Sequence, residues 1–215
     1  MRGGERMVQV QVLLVEDSRL SREAIEARLA RSGRYRVWAA MENAANAEIA
    51  CMGGRVELVL MDVCTADDES GLKAAARIKK HSPDIRVVIM TSMPEHSFRQ
   101  KALAAGCEGF WYKEHGDADL LEVCDRVMAG ETVYPAEGPS VRVGWADSRD
   151  FTARELEILR ELALGRRYEA IAGDLGISPN TVKYHVKNLL QKTGYETAMQ
   201  LIADVVEKRL VLPKY

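Results

Sequence analysis

The sequence has few of the features that would fix its class at once. Its formal net charge is only -2, so whole-chain charge argues for no polyanionic partner. It has four cysteines, Cys51, Cys64, Cys107 and Cys124, none at metal-ligand spacing and none beside a paired histidine motif. Free thiols in a reducing compartment are therefore expected, not a disulfide framework or a zinc site. No apolar run approaches the roughly 20 residues that span a bilayer. The opening MRGGERMVQVQ is too short and too polar for a signal peptide. No membrane association and a cytoplasmic location are expected. Internal repeats and low-complexity tracts are also missing, which excludes solenoids and disordered arrays.

What is there reads as ordinary globular chain: 215 residues, 47% hydrophobic and 29% charged, enough for one large domain or two small ones. The charge is uneven. From Phe151 onward there are 10 Lys and Arg against 8 Asp and Glu, which leaves 20 against 24 in the rest. An acidic module joined to one that meets polyanions would show such a split.

Up to Gly130 the pattern alternates strand with helix. Apolar runs at 10–15, 35–39, 56–61, 85–90 and 109–112 read as strands. Between and after them, helices are expected over 18–31, 44–52, 72–81, 95–105 and 119–129. The first has Ser18 as N-cap, Gly33 as stop and an apolar stripe of Leu20, Ala24, Ile25 and Leu29. Strands that alternate with helices at short spacing pair in parallel through right-handed crossovers. Near-continuous apolar strands fit a sheet covered on both faces. The expected fold of residues 8–130 is a flavodoxin-like α/β domain, a five-stranded parallel doubly wound sheet. Residues 131–150, rich in Gly and Pro without a period, read as a linker with at most one short ordered piece. Residues 151–215 read as an all-α domain of four helices.

In an open α/β sheet, ligands sit outside the carboxyl ends of the strands. Here those ends are Glu16-Asp17, Asp62, Thr91-Ser92 and Lys113. Three converging carboxylates repel, and a hard divalent cation resolves the repulsion; Mg²⁺ takes a few carboxylates and leaves room for phosphate oxygens. A carboxylate beside it can attack a phosphoryl donor, with the lysine and hydroxyl meeting the added charge. A dinucleotide-binding fold needs a Gly-rich turn after the first strand. The turn here, Glu16-Asp17-Ser18-Arg19, is acidic and lacks Gly, which excludes that reading.

Over residues 8–130 the sequence resembles the receiver domains of two-component response regulators. The resemblance implies Asp62 as phosphoacceptor, and Glu16, Asp17, Asp62 and the backbone carbonyl of Cys64 as Mg²⁺ ligands. It also implies Thr91 as the switch hydroxyl, Lys113 as the phosphate-contacting lysine and Phe110 as the switch aromatic. One stretch departs from the family. After Asp62 the usual Met-Pro is absent, Gly71 lies nine residues on where eight is usual, and Asp67, Asp68 and Glu69 add charge.

In the second half, 167–175, then Gly176-Ile177-Ser178, then a helix opened by Pro179, is a helix-turn-helix pattern. From Ser178 to Thr193 there is no acid, while Lys183, His185, Lys187 and Lys192 are present. An apolar back and a basic front suit a DNA groove. Residues 151–215 resemble the DNA-binding domain of the NarL/FixJ family, the LuxR type. The matching residues are Thr152, Arg154-Glu155, Ile171-Ala172, the stretch from Leu175 to Ser178, Thr181-Val182-Lys183 and His185-Val186-Lys187. By that resemblance Lys183, Tyr184 and Lys187 face base edges, and Asn180 and Thr181 touch phosphates. In the family the final helix commonly pairs two such domains; for Met199, Ile202 and Val206 the simpler role is closing the core.

The expectation is a DNA-binding response regulator, not an enzyme. Its partners are double-stranded DNA, a sensor histidine kinase that phosphorylates Asp62, and a second copy of the chain in a homodimer. The alternative, motivated by the loop after Asp62, is an atypical regulator that works without phosphorylation and uses its receiver-like domain to dimerise. A Mg²⁺-dependent phosphatase using Asp62 has no substrate-pocket motif to support it.

Overall fold

The computed structural model describes residues 9–66, 70–95, 97–113 and 119–211. Five strands, β1 (Val10–Val15), β2 (Tyr35–Met41), β3 (Leu58–Asp62), β4 (Arg86–Thr91) and β5 (Gly109–Tyr112), form one parallel sheet in the order β2-β1-β3-β4-β5. Helices α1 (Arg19–Ser32), α2 (Ala47–Met52), α3 (Gly71–His81), α4 (Ser97–Ala104) and α5 (Leu120–Met128) connect and follow the strands. This is the expected doubly wound fold, and its order reverses between β1 and β3, which opens a crevice at their carboxyl ends.

Side-chain alternation along the strands explains the two layers. Val12, Leu14, Leu58, Leu60, Val88, Met90 and Trp111 cluster with Ile25 and Leu29 of α1 and with Leu120, Val123, Cys124 and Val127 of α5. The alternate residues Leu13, Val15, Val59, Met61, Ile89 and Phe110 are buried on the opposite face. Ser18 caps α1 by accepting from the Ser21 amide, and Gly33 closes it with φ at 69°. The apolar stripe expected along α1 is only half correct: Leu20 is 80% exposed and Ala24 is exposed. At 3.6 residues per turn, Leu20 stands about 140° around the helix from Ile25, so only Ile25 and Leu29 meet the sheet.

The described residues fall into two compact units, one ending at Glu137 and one beginning at Gly138; residues 93–97 group with the second. In the second unit a small hairpin, β6 (Arg142–Val143) and β7 (Ala146–Asp147), precedes α6 (Ala153–Ala163), α7 (Tyr168–Leu175), α8 (Pro179–Thr193) and α9 (Ala198–Glu207). Val143, Ala146 and Phe151 pack with Leu156, Leu159, Leu189, Leu201 and Val205. A neighbouring cluster joins Ile158 and Leu162 to Ile171, Ala172, Val182 and Val186. No helix among the described residues is long and apolar enough to cross a membrane.

Candidate functional site

The crevice between β1 and β3 holds the acids that the strand ends supply. Single ligand oxygens of Glu16, Asp17 and Asp62 lie within 4.8 Å of one another. Glu16 and Asp62 are buried and Asp17 is exposed, so the cluster opens to solvent on one side. Lys113, just after β5, bridges the two buried acids: its Nζ is 3.1 Å from Asp62 Oδ2 and also pairs with Glu16 Oε2.

The electrostatics follow from burial. Desolvation pushes the Asp62 carboxyl up to about 7; Lys113 opposes this, while Glu16 and Asp17 add to it. Burial works against the Lys113 ammonium, but the Asp62 and Glu16 carboxylates outweigh it and hold its pKa above the ordinary lysine value. One ammonium among three carboxylates leaves a net negative, all-oxygen donor set. Such a set fits a hard divalent cation of the size of Mg²⁺.

Two contacts that shape the crevice could not be read from the sequence. Arg22, one turn into α1, donates to the backbone carbonyls of Glu16 (2.7 Å) and Asp17 (3.5 Å) and to Glu42 Oε1 (2.9 Å). It ties the acidic turn to the end of β2. The second is a close approach at Gly71: a Cβ there would lie 1.7 Å from the carbonyl oxygen of Asp62. Only glycine lets α3 start against that carbonyl. Gly71 N donates to Val63 O at 3.0 Å, and Cys64 bridges to Ser70 in antiparallel fashion. The long loop is thus pinched at its base, with Cys64 held two residues beyond Asp62. The loop also ties to the end of β2, with Ala66 N donating to Glu42 O and Thr65 Oγ1 accepting from Ala44 N. The extra acids Asp67, Asp68 and Glu69 lie outside the described residues.

Thr91 ends β4, fully buried, in register with Tyr112, and its carbonyl accepts from the Lys113 amide at 2.9 Å. Phe110 sits beside Ile89 on the same face and is 1% exposed. Its ring meets that of Tyr112 edge-on at 5.0 Å and that of Tyr134 at 6.0 Å. The structure therefore brings Glu16, Asp17, Asp62 and Lys113 together, with Thr91 and Phe110 on the adjoining strands.

The second candidate surface is α8. Gly176, at φ 63°, makes the turn after α7, and Ser178 caps α8 with Pro179 at its start. Val182, Val186 and Leu189 are buried, while Asn180, Lys183, Tyr184 and Lys187 are exposed on the outer side. Thr181 is half-buried, its hydroxyl 2.9 Å from that of the capping Ser178. Lys192 does not belong to the basic front. Its Nζ pairs with both carboxylate oxygens of Glu155 (3.0 and 2.8 Å), donates to Asp150 O (2.7 Å) and lies 5.5 Å over the Phe151 ring. A lysine one turn past the groove-facing stretch is drawn inward because Glu155 is buried and needs a counter-charge. On α9, Leu201 and Val205 close the core and Met199 is 76% exposed.

Comparison with known proteins agrees with both halves. Residues 12–125 match the response regulator receiver domain family, and residues 149–204 match the bacterial regulatory proteins of the luxR family. The response regulator protein VraR of Staphylococcus aureus (strain NCTC 8325 / PS 47) is 28% identical over 210 residues, covering 94% of this chain and 99% of that protein. Among solved structures, a LuxR-family two-component response regulator from Aurantimonas sp. SI85-9A1 matches with a TM-score of 0.56 at 24% identity, over 60% of this chain and 91% of that one. RcsB from Salmonella enterica serovar Typhimurium, bound to a promoter in the presence of the phosphomimetic BeF3-, matches with a TM-score of 0.56 at 19% identity, over 93% and 99%.

Proposed function

Because the chain belongs to the response regulators, a receiver domain followed by a luxR-family DNA-binding domain, we propose that phosphorylation of Asp62 controls its binding to DNA. The observation that carries this reading is the grouping of Asp62 with Glu16, Asp17 and Lys113 at the switch point of the sheet. A carboxylate oxygen of Asp62 attacks the phosphorus of a donor such as the phosphohistidine of a sensor kinase. The P–N bond breaks, its electron pair leaves on the imidazole, and an acyl phosphate forms on Asp62. Lys113 meets the new negative charge, and the Thr91 hydroxyl donates to a phosphoryl oxygen. Glu16, Asp17, Asp62 and the Cys64 carbonyl would hold Mg²⁺. Bound there, it would offset carboxylate repulsion and balance the charge of the phosphoryl group. Phe110 is the aromatic that senses the change.

On the DNA side, Lys183, Tyr184 and Lys187 face base edges, and Asn180 and Thr181 meet phosphates. Thr181 does so at the N-terminus of α8, where the helix dipole also favours an anion. A pair of half-sites read by a homodimer, in the cytoplasm, completes the reading. The loop between Asp62 and Gly71, longer than the family's, favours a second reading in which the receiver dimerises without phosphate.

Intact mass after incubation with acetyl phosphate and Mg²⁺ separates the two. The first reading expects the gain of one phosphoryl group, lost in Asp62→Ala, and tighter binding in an electrophoretic shift. An unmodified wild-type protein whose DNA binding equals that of Asp62→Ala would support the second.

A further inference from the structure

β5 ends the five-stranded order, yet its outer edge is not left open. Beyond α5 the chain returns, and Val133 pairs in parallel with Gly109. Phe110 N donates to Val133 O (2.9 Å) and Val133 N donates to Glu108 O (2.7 Å). The next residue, Tyr134, donates its hydroxyl to Cys107 O at 2.9 Å. Then Arg99 of α4 reaches across and donates Nη1 to the carbonyls of Pro135 (2.7 Å) and Ala136 (2.8 Å). Residues 133–136 thus form a strap, the last stretch before the unit ends at Glu137.

Val133 itself is buried in the main core cluster, but Tyr134 to Ala136 after it are tied at the backbone and thinly packed. A cavity of about 330 Å³, lined by Arg99, Gln100, Leu103, Thr132, Tyr134 and Pro135 among others, lies between it and α4. Leu103 is 58% exposed there. Segments held by few apolar contacts open at low free energy. The strap also ends a continuous line of rings. Tyr112, paired with Thr91, touches Phe110, and Phe110 touches Tyr134. Phe110 is fully buried in close-packed surroundings and Tyr134 is half-buried. Close packing transmits strain, and these contacts give a shift at the Thr91–Tyr112 end a route through Phe110 to Tyr134.

We propose that Val133–Ala136 is a releasable strap that reports the state of Asp62 through the Tyr112–Phe110–Tyr134 ladder. This rests on Asp62 being the phosphoacceptor. Charge added there draws on Lys113 and Thr91, which are joined through the Lys113 amide and the Thr91 carbonyl. The β4–β5 end shifts, the Phe110 ring moves against Tyr134, and the strap loses its grip. The chain beyond Glu137 is freed at its root. Arg99 sets the threshold, because it alone ties Pro135 and Ala136 to α4 among the described hydrogen bonds.

The test is hydrogen exchange on the full chain, read at the Val133 and Phe110 amides, with and without beryllofluoride and Mg²⁺. Fluorine NMR on the same samples reports whether beryllofluoride is bound. In the wild type, bound beryllofluoride should speed exchange at both amides about tenfold, the scale of one lost hydrogen bond. Arg99→Gln should speed it without beryllofluoride. Tyr134→Phe keeps the ring and should keep the response. Tyr134→Leu removes the ring and should exchange fast in both conditions. A bound fluorine signal with unchanged exchange at both amides overturns the strap and leaves the phosphoacceptor reading standing. No bound signal defeats the phosphoacceptor reading, and the trigger falls with it. Arg99→Gln exchanging like the wild type overturns the threshold role of Arg99.

Discussion

Gly71 shows how one residue can place a site without touching its chemistry. An added Cβ would sit 1.7 Å from the Asp62 carbonyl, 3.0 Å from the Met61 side chain, and could not be relieved by a rotamer change, because the first obstacle is backbone. Gly71→Ala should therefore push α3 off the end of β3. We expect a loss of about 2 kcal/mol in urea unfolding, in the range for overpacked sites, together with slower phosphorylation by acetyl phosphate; a variant as stable and reactive as the wild type would contradict the close approach. The sequence signals this residue only as a family glycine displaced by one position, not as a contact. Glu16, Asp17, Asp62 and Lys113 were legible because strand ends converge by topology, and topology follows from the order of strands and helices. Arg22 was not. Its partners, the carbonyls of Glu16 and Asp17 and the side chain of Glu42, meet only once β1 and β2 are paired.

Elements carry the same lesson with different physics. The α8 helix was legible from its start, because Ser178 and Pro179 open it and Val182, Val186 and Leu189 repeat at helical spacing, while its stop at Gly194 came from the structure. Lys192 was misread because spacing alone cannot tell a solvated lysine from one that counters a buried acid on another helix. Glu155 is that acid, and it also closes the capping box with Thr152 at the start of α6. Burial raises its pKa, but the hydrogen bond from Lys192 and those with Thr152 outweigh it, so the folded value lies below the ordinary glutamate value. The sign is fixed by that direction. A depressed carboxylate contributes stability in full above its unfolded pKa and loses it as pH falls through the folded one. The helical domain should lose stability on acidification below about pH 4.5. Glu155→Gln should cost about 2 kcal/mol at pH 7, in the range for hydrogen bonds to charged groups, and should flatten that acid limb. Thermal unfolding from pH 7 to 3, followed by circular dichroism, reads both; parallel pH profiles for the two proteins would remove the pair from the account.

At the scale of the whole molecule, the change from alternating strands and helices to helices alone made two modules legible. The finer structure of residues 131–150 was not, since a two-residue strand such as Arg142–Val143 shows no period and the pairing of Val133 with Gly109 is nonlocal. The two modules also differ in charge. Residues 138–215 carry 12 Lys and Arg against 10 Asp and Glu, and residues 1–137 carry 18 against 22. A polyanion is attracted by the first and repelled by the second, over a distance set by the Debye length, about 10 Å at 0.1 M salt and about 30 Å at 0.01 M. The fragment 138–215 keeps the hydrophobic clusters around Leu156 and Ile158 and the outward face of α8. It should therefore bind random-sequence duplex more tightly than the unphosphorylated full chain at low salt. The gap should close as salt rises, while Lys183→Ala and Lys187→Ala, each of which removes a cation from the outer face of α8, should weaken both proteins. Fluorescence anisotropy across a salt series makes the comparison. Equal affinities at the lowest salt would mean that the acidic module exerts no field on the DNA, and control of binding would then have to come from contacts or dimerisation alone.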